Sequence, residues 1–169
     1  MVLKRQTSGS WRCVVLPRIA AAPVQQLALA GESTVQHPPL APMVSDDDAS
    51  ERVASVFADI RETRQTDFIN NFWRVIANDP AQLERTWAEL KEVMAPGALD
   101  PVVKELIYIA VSTVNGCAYC IRSHTASAKQ KGATDAMLAE LRAVVAAASK
   151  TNSIATGMQI PVDAEFLGE

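Results

Sequence analysis

Residues 105–124 read ELIYIAVSTVNGCAYCIRSH, and this stretch decides how the rest of the chain is interpreted. An apolar run up to Val114 is followed by the dipeptide Asn115-Gly116, and a pair of cysteines comes directly after it. Asn-Gly breaks a helix, because both residues tolerate backbone angles that other residues avoid. The stretch therefore predicts a buried helix, a tight break, and a second helix that begins near Cys117.

The cysteine pair and a later histidine are the candidate reactive groups. An α-helix turns by ~100° per residue, so Cys117, Cys120 and His124 fall within an arc of about 60° on one face. A helix N-terminus stabilises an anion at Cys117, and His124 follows Cys120 at a spacing that lets it accept a thiol proton. The pattern predicts a redox-active pair. A zinc site is the alternative, because Cys-x2-Cys-x3-His supplies three ligands, although a closed site needs a fourth.

A carboxylate in the preceding apolar helix is the next candidate. Glu105 has apolar neighbours, and burial there raises the pKa of a carboxyl group toward neutrality unless it is paired. Ser112 falls on the same helical face as Glu105. If the two helices pack together, Glu105 reaches His124 directly or through water, which gives a relay of carboxylate, imidazole and thiol. A pairing of Glu105 with Lys104 or with a neighbouring subunit is the alternative.

The spacing Glu-x11-Cys-x2-Cys-x3-His resembles the alkylhydroperoxidase AhpD-like branch of the carboxymuconolactone decarboxylase superfamily. The match is tightest over residues 104–125. The resemblance implies an all-α fold, assembly into homotrimers or homohexamers, and reduction of peroxides by the cysteine pair. Carried over position by position, the catalytic roles fall on Glu105, Cys117, Cys120 and His124.

The resemblance also implies substrates and partners. The expected substrate is a hydroperoxide, and the expected reductant is a dithiol or a thioredoxin-like protein. The helix dipole favours Cys117 as the attacking cysteine, whereas the spacing to His124 favours Cys120; we adopt Cys120, with Cys117 meeting the reductant. The best-known AhpD enzymes carry a histidine between the cysteines, where this chain has Tyr119. No bound cofactor is expected, since neither GxGxxG nor a P-loop motif is present. The alternatives are a general thiol–disulfide oxidoreductase and a zinc-stabilised interaction module without turnover.

The sequence on both sides of this stretch also predicts helices, from apolar residues at spacings of three and four and from capping residues. Two helices have an aspartate before a proline, the residue that fits the first helical position. Helix starts are predicted at Ser45–Asp48, Phe68, Asp79-Pro80, Asp100-Pro101, Cys117 and Thr134–Asp135, with a last helical stretch over residues 151–159. We therefore expect an all-α domain over residues 45–169.

The first 44 residues have a different composition. Residues 1–42 contain five prolines and carry a net charge of +3, although the whole chain carries −3. We interpret residues 1–44 as a disordered tail or as sequence upstream of a true start at Met43, with a targeting segment as the alternative. The remaining cysteine of the chain, Cys13, falls in this segment.

Overall composition excludes several classes of protein. A net charge of −3 argues against a general nucleic-acid-binding protein, whose surface is normally basic. The sequence has no apolar run of ~18 residues, so no membrane-spanning segment is expected. Three cysteines without a regular series of spacings do not suggest a secreted disulfide framework, and a cytoplasmic protein is expected.

Overall fold

The structure, a computed structural model, describes residues 2–5, 11–14 and 38–168. Contacts divide the chain into two compact units, Met1–Leu40 and Ala41–Glu169. All the regular secondary structure in the described residues of the second unit is helical, which confirms the all-α fold predicted for it. Its helices are α1 (Glu51–Arg64), α2 (Asn71–Ile76), α3 (Pro80–Met94), α4 (Pro101–Val114), α5 (Ala118–Gln130) and α6 (Asp135–Gly157), followed by a 3₁₀ turn at Ala164–Phe166.

The first unit contains a pair of short antiparallel strands, β1 (Val2–Arg5) and β2 (Trp11–Val14). Both strands lie inside the segment that the composition assigned to a tail, whose remaining residues up to 37 lie outside the described part. The interpretation of residues 1–44 as a disordered tail therefore stays a prediction. The end of this segment belongs to the helical unit, because the Val44 amide donates a hydrogen bond to the Arg74 carbonyl at 3.0 Å.

Helices α1, α2 and α3 share one hydrophobic core. The residues spaced for an apolar face on α1 are all buried, as their spacing predicted. They pack against two tryptophans, Trp73 and Trp87, whose rings meet edge to face with centroids 5.4 Å apart. The apolar positions of α1 are Val53, Val56, Phe57 and Ile60. This core holds α1–α3 together without contributing a reactive side chain.

A second, smaller core lies between α4, α5 and α6. Its buried residues are Ile109, Ala128, Ala133 and Leu138. Alanine at the contact lets α4 and α5 approach closely, since a small side chain keeps two helix backbones near each other. Glu105 and Ser112 are the buried polar residues of the described chain, and both lie on α4. The second core therefore surrounds the polar groups that the sequence singled out.

Two predicted helix boundaries are wrong, each for a local reason. Helix α1 begins at Glu51 rather than at Ser45, because Ser50 caps it while Ser45 and Asp48 bond to each other in a separate turn. The second apolar segment becomes helical only at Asn71, and Phe68 before it is exposed.

Helix α6 is one continuous helix, where the sequence suggested a separate last stretch over residues 151–159. Hydroxyl groups in its second half bond back to carbonyls of the preceding turn, as from Thr151 to Ala147 and from Ser153 to Ser149. Leu138 is its single buried residue, so most of its length faces solvent. Within the described residues, no helix has both the length and the apolar character needed to cross a membrane.

Candidate active site

The turn between α4 and α5 places the cysteine pair. Asn115 caps the end of α4, and Gly116 adopts a φ of +69°, a left-handed conformation that residues with a Cβ rarely take. The chain then doubles back, and the Cys117 amide donates to the Ser112 carbonyl at 2.9 Å. The Asn-Gly dipeptide therefore brings Cys117 to the start of α5, as the sequence predicted.

Cys117 and Cys120 form a disulfide across the first turn of α5, with their Cα atoms 5.4 Å apart. Cys117 is the N-cap residue, and its Sγ accepts the Cys120 amide N–H at 3.2 Å. When the pair is reduced, this N–H and the helix dipole stabilise negative charge on the Cys117 sulfur. The local geometry thus favours both the disulfide and a Cys117 thiolate.

Glu105 is the centre of a polar cluster between α4 and α5. It is 2% exposed, and its Oε2 lies 2.6 Å from His124 Nδ1. Its Oε1 accepts a hydrogen bond from Ser127 Oγ at 2.7 Å and another from Lys131 Nζ. Lys104, the partner considered from the sequence, donates instead to backbone carbonyls at the end of α3. The structure therefore joins Glu105 directly to His124.

The rise in pKa expected for an unpaired Glu105 does not occur, because the carboxyl group is paired. Burial does act to raise the pKa, but hydrogen bonds from His124, Lys131 and Ser127 together outweigh burial and lower the pKa from 4.5 to about 2. Glu105 is therefore a carboxylate at neutral pH and can only accept hydrogen bonds. His124 must then carry its proton on Nδ1, which leaves Nε2 as the nitrogen available for a proton transfer. Glu105 orients the imidazole rather than carrying a proton.

Tyr108 completes the surroundings of His124. Its ring stacks on the imidazole, with centroids 3.6 Å apart and planes inclined by 17°. Within the described residues, no hydrogen bond joins His124 to either sulfur of the disulfide. The imidazole is thus fixed on one side by a carboxylate and on one face by an aromatic ring.

Three members of this cluster were not predicted from the sequence, although the helical spacing held a signal for each. Ser127 and Lys131 follow His124 at intervals of three and seven residues, and therefore share its face of α5. Tyr108 follows Glu105 by one helical turn on α4. Tracing the face of each candidate residue along its helix would have found all three.

Tyr119, at the position where AhpD enzymes have a histidine, points to a different contact. Its hydroxyl accepts the Phe72 amide N–H at 3.1 Å, and this N–H belongs to the first turn of α2. Asn70, the N-cap residue of that helix, makes no side-chain capping bond. Tyr119 therefore links α5 to the start of α2.

A pocket of about 660 Å³ opens beside the disulfide, between the end of α3, the exposed side of α4 and the start of α5. Both cysteines of the disulfide line it. Its walls are largely apolar, with contributions from Val93, Met94, Leu99, Ile107 and Val111. The structure thus places the disulfide beside an apolar space large enough for a small organic molecule.

The zinc alternative finds no support in the geometry. Among residues 38–168 and the two strands, no group of three or more His, Cys, Asp and Glu side chains is arranged to hold a metal ion. Both sulfurs are bonded to each other, and His124 Nδ1 is engaged by Glu105.

Comparison with solved structures supports this interpretation of the fold. The chain is similar to the alkylhydroperoxidase AhpD core from Rhodospirillum rubrum, with 50% sequence identity and a TM-score of 0.75. The alignment covers 78% of this chain and 98% of that one. At this identity the likeness extends beyond the fold to the sequence that builds it.

Comparison with curated proteins and with family profiles shows which family the sequence belongs to. An uncharacterised protein of the Paracoccus denitrificans cox locus is 39% identical, over 38% of this chain and 65% of that protein. An uncharacterised protein of Cupriavidus necator is 32% identical, over 49% of this chain and 74% of its own length. An (R)-2-haloacid dehalogenase of Pseudomonas putida is 28% identical, over 63% of this chain and only 36% of its own length. The profile of the carboxymuconolactone decarboxylase family matches residues 81–163, and the chain belongs to this family, in its AhpD-like branch.

Proposed function

We propose that this protein is a thiol-dependent peroxidase that reduces hydroperoxides through Cys117 and Cys120. One observation carries the proposal: the two cysteines form a disulfide on the wall of a pocket, at the start of the helix that also bears His124. His124 is oriented by the ionised Glu105. A disulfide between neighbouring cysteines is the product that such a peroxidase forms in each cycle.

The proposed reaction has three steps. His124 takes the thiol proton of Cys120, and the thiolate attacks the outer oxygen of the hydroperoxide, so the O–O bond breaks and an alkoxide leaves. The alkoxide takes the proton from His124 and becomes an alcohol, while Cys120 becomes a sulfenic acid. The Cys117 thiol then displaces hydroxide from that sulfenic acid, which releases water and forms the disulfide. A dithiol finally reduces the disulfide and is itself oxidised.

The positions of the two sulfurs on α5 support one order for their reactions. Cys120 lies one helical turn before His124, which suits it to lose its proton to the imidazole and attack the peroxide. Cys117 is the N-cap residue at the outer end of the helix, which suits it to meet an incoming reductant. We assign Cys120 as the attacking cysteine and Cys117 as the cysteine that the reductant attacks.

We infer the substrate from the pocket and the reductant from the chemistry of the disulfide. Its largely apolar wall suits the organic part of an alkyl or aryl hydroperoxide better than it suits hydrogen peroxide. The reductant is a dithiol or a thioredoxin-like protein, since only a thiol restores the pair by exchange. Such reductants are kept reduced in the cytoplasm, where we place the reaction.

Exposed apolar side chains support a homo-oligomer, which we propose to be a trimer or a hexamer. Val103, Ile107, Val111 and Val114 lie along the outer face of α4 and are 39%, 48%, 53% and 68% exposed. A continuous apolar face of this kind is costly in water unless a partner covers it. Sedimentation velocity at micromolar protein concentration should show a trimer or larger. A single monomeric species would contradict the proposed assembly.

A general thiol–disulfide oxidoreductase is the second candidate, because the observed disulfide serves that activity equally well. Steady-state consumption of cumene hydroperoxide with dithiothreitol as the electron donor separates the two candidates. We expect turnover by the wild type and by Cys13→Ser, and none by Cys120→Ser. Reduction of a disulfide substrate such as insulin without any consumption of hydroperoxide would favour the second candidate and contradict the first.

Variants with one cysteine each, made in the Cys13→Ser background, test the assignment of the attacking sulfur. After one equivalent of hydroperoxide, Cys117→Ser should carry a sulfenic acid that a dimedone-type reagent labels. Cys120→Ser should remain unlabelled. Labelling of Cys120→Ser alone would reverse the assignment.

A further inference from the structure

Ser112 is a buried hydroxyl that the proposed reaction has not used. The residue is 4% exposed, lies on α4, and lines the pocket together with Cys117 and Cys120. Within the described residues its side chain makes no hydrogen bond. Its neighbour Thr113 shows the contrast, because the Thr113 hydroxyl bonds back to the Ile109 carbonyl at 2.8 Å, the usual arrangement within a helix.

The Ser112 oxygen is not sealed inside the protein, because within the described residues the buried polar side-chain atom that lacks a partner is Trp73 Nε1. The hydroxyl is therefore open to the pocket that Ser112 lines, where a bound molecule can replace water as its hydrogen-bond partner. The backbone of Ser112 is already satisfied, since its carbonyl accepts the Cys117 amide. The Ser112 hydroxyl therefore makes no hydrogen bond to the described protein, and a molecule in the pocket can accept one from it.

The pocket gives that molecule a defined chemistry. Lys104, another polar residue of the wall, already donates to the carbonyls of Val93 and Ala95 at the end of α3. Besides Lys104 and the two cysteines, the polar residues of the wall are Tyr108, Ser112 and Asn115, and the other lining residues are apolar. A ligand with an apolar body and a polar oxygen matches this lining.

We propose that the Ser112 hydroxyl donates a hydrogen bond to the leaving oxygen of the hydroperoxide, so that Ser112 is a further catalytic residue of the proposed peroxidase. The inference rests on the proposed function. As the Cys120 thiolate attacks and the O–O bond breaks, negative charge develops on the leaving oxygen, and a hydrogen bond already in place stabilises it. Ser112 keeps its own proton throughout, because the leaving alkoxide receives the proton that His124 took from Cys120.

Ser112→Ala tests the proposal without changing the shape of the pocket. Two single-turnover rates are measured by stopped flow: oxidation of the reduced enzyme by cumene hydroperoxide, and reduction of the disulfide by dithiothreitol. We expect oxidation to slow about tenfold, the effect of one lost hydrogen bond in the transition state, with reduction unchanged. The melting temperature should stay the same, because the hydroxyl has no hydrogen-bond partner within the described protein to lose. Thr113→Val, which removes a hydroxyl from the adjacent residue, is the matched control and should oxidise at the wild-type rate.

The possible outcomes distinguish a failure of the role of Ser112 from a failure of the proposed function. If the wild type reacts with hydroperoxide and Ser112→Ala reacts equally fast, the role of Ser112 is refuted and the proposed function stands. If Ser112→Ala slows both rates alike or melts at a lower temperature, Ser112 acts through the structure and the proposal is also refuted. If the wild type itself does not react with hydroperoxide, the proposed function has failed, and the inference with it.

Discussion

Lys131 offers the sharpest test of the electrostatics around Glu105. Its ammonium group donates to Glu105 Oε1, and the carboxylate is almost completely buried, with 3% of its side chain exposed. Lys131→Met removes the charge while keeping most of the apolar stem. Glu105 then remains buried with His124 and Ser127 as its donors, and its charge is less well compensated.

The magnitude follows from the pKa of Glu105. A pKa lowered from 4.5 to about 2 corresponds to roughly 3 kcal/mol in favour of the ionised carboxylate in the folded state. Lys131 supplies part of this, and its own side chain is 36% exposed, so solvent weakens its share. We expect Lys131→Met to lower the free energy of unfolding by about 1–2 kcal/mol at pH 7.

The sign of the pH dependence makes the test specific. Glu105 has a lowered pKa, so its contribution to stability is complete above its ordinary value of 4.5 and is lost as the pH falls through about 2. Lys131→Met raises the pKa of Glu105, so the variant loses the contribution at a higher pH. The difference between wild type and variant should therefore shrink as the pH falls from about 5 toward 2.

The assay is urea unfolding followed by circular dichroism, at one protein concentration and at several pH values. Lys129→Met is the matched control, because Lys129 also lies on α5 but pairs with the exposed Asp135. The control should unfold within experimental error of the wild type. A Lys131→Met variant as stable as the control at pH 7, or a difference that does not change with pH, would refute the account of Glu105.

Three smaller predictions concern the elements that position the site. Tyr119→Phe removes the acceptor for the Phe72 amide and should lower the free energy of unfolding by about 1 kcal/mol, with hydroperoxide turnover within twofold of wild type. Asp79→Ala removes the side chain that caps α3; it should also cost about 1 kcal/mol in chemical denaturation. Gly116→Ala forces a Cβ into a left-handed conformation with open space around it, so its cost of about 1 kcal/mol should come from backbone strain alone. Unchanged unfolding curves would contradict each of these assignments.

The helices around the site were predictable because their signals are local. The dipeptides Asp79-Pro80 and Asp100-Pro101 each place a capping carboxylate before a proline, and α3 and α4 begin at those prolines. Asn115-Gly116 predicted the turn before Cys117 for the same reason. A capping residue predicts the start of a helix well when no second capping residue lies nearby. The prediction at Ser45 was wrong because Ser50, which lies nearer the apolar face of α1, caps the helix instead.

The burial of Glu105 and its contact with His124 could be predicted from the sequence, but its pKa could not. Its burial and its approach to His124 follow from helical phase, since both residues face the contact between α4 and α5. The direction of its pKa shift does not follow, because it depends on how many donors reach the carboxylate across two helices. Lys131 lies two turns beyond His124, at the end of α5, and only the packing of the helices shows that its side chain reaches back to Glu105.

The central claim is that a hydroperoxide oxidises Cys117 and Cys120 together to the observed disulfide. The most direct measurement counts thiols in reduced Cys13→Ser protein, without oxygen, before and after one equivalent of cumene hydroperoxide. We predict that the two thiols present at the start are both lost and that one equivalent of the alcohol appears. Two thiols that persist while the hydroperoxide remains unconsumed would contradict the claim.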